Sequence, residues 1–126
     1  MESLWIKTTK NNEIFEQLND TKKVDVCVIG GGLFGLTTAY YLTKNNINTI
    51  VLEKGRIGEK VSGNTTGKIT SQHDLFYAYL VDDYGCDYAQ KYLEANEQAI
   101  ENIKKIVNDE QIDCDFSEEK SYVYTT

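Results

Sequence analysis

Apolar and polar positions in the first half of the chain alternate in a pattern typical of a strand, a turn, a helix and a second strand. The nearly continuous apolar run Val24–Ile29 predicts a parallel strand that is buried on both faces. A helical pattern follows over about Leu33–Lys44, and the pair Asn45-Asn46 suits a left-handed cap at its end. The second apolar run predicts a strand over about Thr49–Glu53. Together these elements predict a β-α-β unit.

Glycines occupy the turn between the first strand and the helix. Gly30 permits a tight turn, Gly32 leaves room for a phosphate beside the backbone, and Gly35 permits close packing of the helix on the sheet. The second strand ends at Glu53, where an acid can accept hydrogen bonds from ribose hydroxyls. A glycine turn alone is weak evidence, but this context predicts a dinucleotide site. A tight turn without a ligand would leave the three adjacent glycines, 30–32, unexplained.

The polar segment Lys54–Ser71, KGRIGEKVSGNTTGKITS, is rich in glycine, serine and threonine. A long surface loop explains it as well as a ligand site does, although loops of this length are often functional. Ser62, Thr65 and Thr66 offer hydroxyl groups, and Gly63 and Gly67 permit close approach of the backbone. The composition of this segment leaves both readings open.

The second half of the chain begins with two predicted helices. Ser71 is the expected N-cap of a helix over Leu75–Tyr84. His73, the single histidine, is interpreted as a residue at the helix start rather than a catalytic base, because no paired group can be named. A capping box at Asp87 predicts the start of the next helix, which runs to about Val107 with one apolar face.

The chain ends are predicted to be extended. Alternating residues over Ile112–Phe116 and Tyr122–Tyr124 predict two strands with a turn between them. Ser3–Ile6 is interpreted either as a short extended piece or as part of a loosely docked N-terminal arm, and we assign no chemistry to it. The expected organisation is therefore an N-terminal arm at 1–22, part of a nucleotide-binding domain at 23–110 and the start of a second sheet at 111–126.

Composition narrows the function classes. The 126 residues are enough for at most one domain, and the net charge of −7 argues against nucleic acid and anionic membrane surfaces as partners. Neither a signal peptide nor an apolar run long enough to cross a membrane is recognised, so a cytoplasmic location is the default expectation. The three cysteines lack a CxxC pattern, so no metal site is predicted.

Two motifs together resemble a known family: the glycine turn with Glu53, and SGNTTGKIT behind it. They are similar to the N-terminal end of FAD-dependent oxidoreductases of the D-amino-acid oxidase and glycine oxidase type, the DAO family. The stretch from Lys60 to Tyr77 looks especially like a bacterial branch in which some members carry a C-terminal Rieske domain. The resemblance implies an α/β fold with a Rossmann-like, glutathione-reductase-type FAD-binding β-α-β unit, following helices and the start of a second sheet.

The resemblance also implies a cofactor, FAD, and the residues that hold it. The pyrophosphate would lie against the glycine turn, and the adenosine ribose against Glu53 with Lys54 beside the adenosine. Residues 65–69 of the polar segment would line the pyrophosphate and the isoalloxazine of the flavin. No catalytic residue is assigned. The implied cofactor-binding residues are Gly30, Gly31, Gly32, Leu33, Phe34, Gly35, Glu53, Lys54, Ser62, Thr65, Thr66, Gly67, Lys68 and Ile69.

Family members are several times longer than this chain, so the resemblance implies an incomplete domain, an N-terminal fragment that is inactive alone. The expected function is the FAD-binding portion of an oxidoreductase that oxidises an amine or amino acid by hydride transfer to flavin. A non-catalytic module that binds ADP, NAD or FAD, and a remnant that binds none of them, are the alternatives. An oligomer or a partner chain is expected to cover exposed apolar surface.

Overall fold

The predicted β-α-β unit is present in the computed structural model, which describes residues 3–9 and 14–124. Strand β1 is Val26–Ile29, helix α2 is Leu33–Lys44 and strand β2 is Thr49–Leu52; a short helix α1, Leu4–Thr8, precedes them. The two strands pair in parallel, with Val26 opposite Thr49 and Ile29 opposite Leu52. The chain divides into two compact units, Met1–Gly67 and Lys68–Thr126, and this sheet belongs to the first.

Helix α2 has the bounds that the sequence predicts, and its end shows why. Asn46 adopts a left-handed conformation with φ of 59°. Its N–H donates to the Thr43 carbonyl at 2.9 Å, and the Ile47 N–H donates to the Leu42 carbonyl at 3.0 Å. These two bonds satisfy carbonyls that the end of a helix would otherwise leave unpaired. The predicted left-handed cap is therefore confirmed.

Strand β1 is not buried on both faces, so that prediction is wrong. Helix α2 packs against β1 and β2 and leaves Val26 and Val28 partly buried, whereas Cys27 is exposed and Ile29 is 87% exposed. A continuous apolar run is typical of a strand with a layer on each side. Among the described residues of the first unit, a helix packs against only one face of this strand.

The N-terminal residues form helix α1 rather than an extended piece, which corrects the prediction for Ser3–Ile6. The indole N–H of Trp5 donates to the Thr65 carbonyl at 2.7 Å, and the Ser3 hydroxyl donates to the Gly63 carbonyl. Gly63 lies in a single turn of 3₁₀-helix, Ser62–Asn64. Contacts with a segment sixty residues away therefore position this short helix, which its own length could not stabilise.

The second unit contains helix α3, Phe76–Tyr84, and helix α4, Cys86–Asp109. Gly85 separates them with a φ of 86°, a conformation that suits glycine. Neither helix start has a side-chain cap, so the predicted caps at Ser71 and Asp87 are wrong. The glycine ends one helix and begins the next, and Asp87 lies inside the first turn of α4.

The helices of the second unit meet through apolar and aromatic side chains. Leu80 of α3 and Ala89 of α4 are buried. The ring of Phe76 lies edge-on to that of Tyr92, with centroids 5.2 Å apart. Tyr92 belongs to the apolar face that the sequence predicts for α4, so this packing role is confirmed.

The described residues after α4 form no strand, so the predicted second sheet is wrong. Residues 112–124 are irregular, and Asp115 has a left-handed φ of 50°. The carboxylate of Glu118 pairs with Lys104 of α4 at 2.9 Å. Alternation makes a segment suitable for a strand, but a strand also needs a neighbour to accept its hydrogen bonds. Among the helices that the structure describes, none is long and apolar enough to cross a membrane.

Candidate functional site

The turn between β1 and α2 is tied to the end of β2. Gly30 has a φ of 111°, and its N–H donates to the Leu52 carbonyl at 2.8 Å. The next carbonyl, that of Gly31, accepts a hydrogen bond from the Gly58 N–H at 2.9 Å. The turn is thus held on one side by the neighbouring strand and on the other by the segment that follows it.

Gly35 brings α2 as close to the turn as the backbone allows. A Cβ atom at this position would lie 1.9 Å from the Gly30 carbonyl oxygen and 3.3 Å from a methyl group of Val28. Contacts below 3.0 Å between a Cβ and the backbone essentially never occur in proteins. The role that the sequence predicts for Gly35, close packing of the helix, is therefore confirmed.

Glu53 is the acidic residue of the site, and both of its carboxylate oxygens accept hydrogen bonds. One carboxylate oxygen, Oε2, accepts the Gly31 N–H at 2.9 Å. The other, Oε1, accepts the Gly55 N–H at 2.9 Å and pairs with Lys60 Nζ at 3.2 Å. These bonds, first those from the Gly31 and Gly55 amides and then that from Lys60, lower the pKa of Glu53 to about 2. The side chain is therefore ionised at neutral pH.

Ser62, in the polar segment, forms a hydrogen bond with the first turn of α2. Its hydroxyl oxygen accepts the Leu33 N–H at 2.8 Å, one of the amides that the first turn of a helix leaves without a carbonyl partner. A Cβ on Gly32 would lie 3.2 Å from the same oxygen. Ser62 thus caps α2 from a distance, and it keeps a hydroxyl proton that can be donated elsewhere.

A cavity of about 170 Å³ lies between the glycine turn and the polar segment. It combines backbone from the turn, one carboxylate and two cationic side chains. Arg56 is also paired with Glu59, at 3.3 Å. The residues that line the cavity are Gly31, Gly32, Glu53, Arg56, Gly58, Lys60, Val61 and Ser62.

The sequence predicts part of this lining and misses the rest. The structure brings the turn, Glu53 and Ser62 together at this cavity, while Arg56, Gly58 and Lys60 are not among the site residues that the sequence predicts. A signal for them exists, because all three lie within the seven residues that follow the acid at the end of the second strand. Their proximity to the carboxylate depends on the path of the loop, which composition does not determine.

The other predicted site residues lie away from the cavity lining. Lys54 and Thr66 are exposed, and Phe34 is 87% exposed. The Thr65 carbonyl and Gly67 contact Trp5; a Cβ on Gly67 would lie 2.5 Å from the indole ring.

Two further predicted site residues, Lys68 and Ile69, belong to the second unit. There the Lys68 ammonium donates to the Ser121 hydroxyl at 3.5 Å, and the Ile69 side chain is 43% exposed.

Comparison with known proteins identifies relatives over most of the chain. Residues 25–126 match the family model described as DAO, FAD-dependent oxidoreductase. A putative Rieske 2Fe-2S iron–sulfur protein, YhfW, of Bacillus subtilis is 40% identical over 124 residues, which is 98% of this chain and 24% of that protein. The γ-glutamylputrescine oxidoreductase of Escherichia coli is 33% identical over 102 residues, 81% of this chain and 24% of that protein.

A shorter match extends to the glycine oxidase of Bacillus subtilis, which is 40% identical over 60 residues, 44% of this chain and 16% of that enzyme. No solved structure gives a significant match. The chain spans about a quarter of the length of the first two relatives, at 24% of each.

Proposed function

The chain belongs to the FAD-dependent oxidoreductase family DAO, and from this we propose that its first unit holds the adenosine diphosphate end of FAD. The observation that carries the proposal is the cavity between the glycine turn and the polar segment. Glu53 lies at this cavity as an ionised carboxylate with a pKa of about 2. An ionised acid at the end of the second strand suits a ribose, whose hydroxyls donate hydrogen bonds.

The residues of the cavity fit this end of the cofactor chemically. Backbone of Gly31 and Gly32 lines it without side chains, the Ser62 hydroxyl can donate a hydrogen bond, and Arg56 and Lys60 supply positive charge. Phosphate oxygens accept hydrogen bonds and attract cations. The volume of about 170 Å³ is below the roughly 300–1,000 Å³ of sites that enclose a whole ligand. The first unit would therefore hold one part of the dinucleotide.

We extend the proposal to the residues that the resemblance implies. Glu53 binds the ribose, and Lys54 lies beside the adenosine. The remaining residues are assigned to the pyrophosphate and to the flavin. The pyrophosphate residues are Gly30, Gly31, Gly32, Leu33, Phe34, Gly35 and Ser62; those along the pyrophosphate and flavin are Thr65, Thr66, Gly67, Lys68 and Ile69.

The proposed reaction of the oxidoreductase to which this FAD-binding portion belongs is the oxidation of an amine or amino acid, for which FAD, when bound, would supply the hydride acceptor. The names of two relatives, γ-glutamylputrescine oxidoreductase and glycine oxidase, support this substrate class. The residues of this chain contribute binding and orientation: the glycine turn admits the phosphates, Glu53 fixes the ribose, and Ser62 holds the helix start. We assign no proton transfer to any of them.

A second candidate is a nucleotide-binding module without catalysis. It is favoured by one observation, namely that the described cavity offers groups for a ribose and phosphates and has the volume of only part of a ligand. Such a module would bind ADP, NAD and FAD alike, because all three carry the same adenosine diphosphate group.

Titration calorimetry with FAD, ADP and NAD, combined with the visible spectrum of bound flavin, tests both candidates. Tight FAD binding with shifted flavin bands supports the cofactor site of an oxidoreductase. Equal affinities for ADP and FAD with unshifted bands support the nucleotide module. The Glu53→Gln variant should weaken the binding of all three ligands, and Glu16→Gln, the same substitution at an exposed position outside the cavity lining, should weaken none. Absence of binding to the folded wild-type chain would refute both candidates.

A further inference from the structure

We propose that Lys60 is a transferable counter-charge, which neutralises Glu53 in the free protein and pairs with the phosphates of a bound nucleotide. This inference rests on the proposed function, because it describes how the same site accepts an anion. It assigns Lys60 a binding role that the sequence pattern did not predict. It also gives different roles to two neighbouring side chains of the site: the acid binds the ribose, and its partner cation pairs with the phosphates.

The first argument is that two backbone donors of the turn already have acceptors within the protein. The Gly31 N–H donates to Glu53 Oε2 at 2.9 Å, and the Leu33 N–H donates to the Ser62 hydroxyl at 2.8 Å. A pyrophosphate entering the cavity would meet these amides already engaged. Charge for the ligand must then come from side chains that line the same cavity.

The second argument is that Lys60 is held at the cavity by its backbone while its side chain can move. The Lys60 carbonyl accepts the Asn64 side-chain N–H at 2.6 Å, and Gly58, two residues earlier, is bonded to the turn. The Lys60 side chain is 56% exposed, compared with 13% for Glu53. Because more than half of the Lys60 side chain is in solvent, water can solvate the ammonium group while it exchanges the carboxylate for another anion.

The third argument is that Glu53 does not depend on Lys60 alone. When the ammonium group leaves, the carboxylate keeps the Gly31 and Gly55 N–H groups as donors. These two backbone bonds are the largest causes of its lowered pKa. The acid therefore remains ionised and in place for the ribose while the cation moves to the phosphates.

Arg56 is less suited to this role, although it also lines the cavity. Its guanidinium group pairs with Glu59 at 3.3 Å, and Glu59 is not among the lining residues. Lys60, in contrast, has its carboxylate partner inside the cavity. Of these two cations, Lys60 is therefore the one whose partner competes directly with an incoming anion.

The test compares ADP with adenosine on four proteins: wild type, Lys60→Gln, Lys60→Arg and the matched control Lys22→Gln. Loss of a charge-assisted contact should weaken ADP binding to Lys60→Gln by about tenfold or more, with adenosine affinity unchanged. Lys60→Arg should restore most of the ADP affinity, and Lys22→Gln should match wild type. Added salt should weaken ADP binding to wild type more steeply than to Lys60→Gln. Fluorescence of Trp5 verifies that each variant is folded.

Three results would overturn the inference. Equal ADP affinity of wild type and Lys60→Gln would show that the cation does not reach the phosphates, while the proposed function would stand. Equal losses for ADP and adenosine would show that Lys60 acts only through Glu53. If the folded wild-type chain binds neither ADP nor FAD, the proposed function fails, and the inference fails with it.

Discussion

Replacement of Gly35 by alanine tests the closest approach in the β-α-β unit. The new Cβ would lie 1.9 Å from the Gly30 carbonyl oxygen and 3.1 Å from its carbon. The obstacle is backbone, and it belongs to the turn that lines the candidate site, so it cannot rotate away as a side chain can. Relief requires α2 to move away from the turn by about 1 Å, because contacts shorter than 3.0 Å are not tolerated.

Two effects oppose each other in this variant. Alanine favours the helix by about 1 kcal/mol relative to glycine. Forcing an extra carbon into a packed site costs about 1–3 kcal/mol, and an obstacle made of backbone favours the upper end. The expected net result is a loss of about 2 kcal/mol in the free energy of unfolding of the first unit. With a urea m-value of about 1 kcal/mol/M, the unfolding midpoint would fall by about 2 M.

The fluorescence of Trp5 is a suitable probe for this measurement. Trp5 is the single tryptophan of the chain, and it packs in the first unit against Gly67 and the Thr65 carbonyl. Helix circular dichroism would mix both units. The control is Gly55→Ala, whose Cβ would lie 3.6 Å from Glu53 Oε1, an ordinary contact. If both variants unfold at the wild-type urea concentration, the close approach at Gly35 is refuted.

Three further predictions follow from single contacts. First, the pKa of Glu53 is lowered from 4.5 to about 2, so its contribution to stability is present above about pH 5 and is lost as the pH falls towards 2. Urea titrations followed by Trp5 fluorescence should show this loss of stability in wild type and not in Glu53→Gln, and equal pH profiles of the two proteins would contradict the prediction. Second, Gly67→Ala should displace the indole, because Gly67 has a φ of 72° and its Cβ would lie 2.5 Å from the ring; an unchanged emission maximum of the folded variant would argue against that contact. Third, Tyr92→Phe removes a 2.9 Å hydrogen bond to His73 Nδ1 and should cost the second unit about 1 kcal/mol, measured by hydrogen exchange at the backbone amides of α4; unchanged exchange rates there would show that the bond contributes nothing.

The sequence predicts those features of the fold that are determined by residues close together in the chain. Helix α2 ends where an asparagine can adopt a left-handed conformation, and that signal lies within two residues of the end. The glycine at position 35 is likewise explained by its own neighbourhood, since the carbonyl it approaches is only five residues earlier. These features do not depend on the path taken by the rest of the chain, which is why the sequence alone predicts them.

Features that depend on distant partners are those that the sequence does not predict. Helix α1 is positioned by contacts of Ser3 and Trp5 with residues sixty positions later. The alternation over 112–124 suits a strand, but no strand forms in that part of the described chain. The ion pair of Lys60 with Glu53 follows from the course of the loop between them. In each case the residues have the right chemistry, and the fold decides what they contact.

Glu53 shows why binding and stability have to be separated at this site. The sequence assigns its carboxylate to a ribose, yet in the structure the same carboxylate holds the Gly31 and Gly55 N–H groups. A Glu53 variant would therefore lose ligand affinity even if no ribose ever contacted it, because the turn itself would lose its anchor. Lys60 has no comparable structural duty, since its side chain is 56% exposed and its carboxylate partner keeps two backbone donors without it. Comparison of the ADP and adenosine affinities of wild type and Lys60 variants is thus a more direct test of ligand binding at this site than any substitution of Glu53.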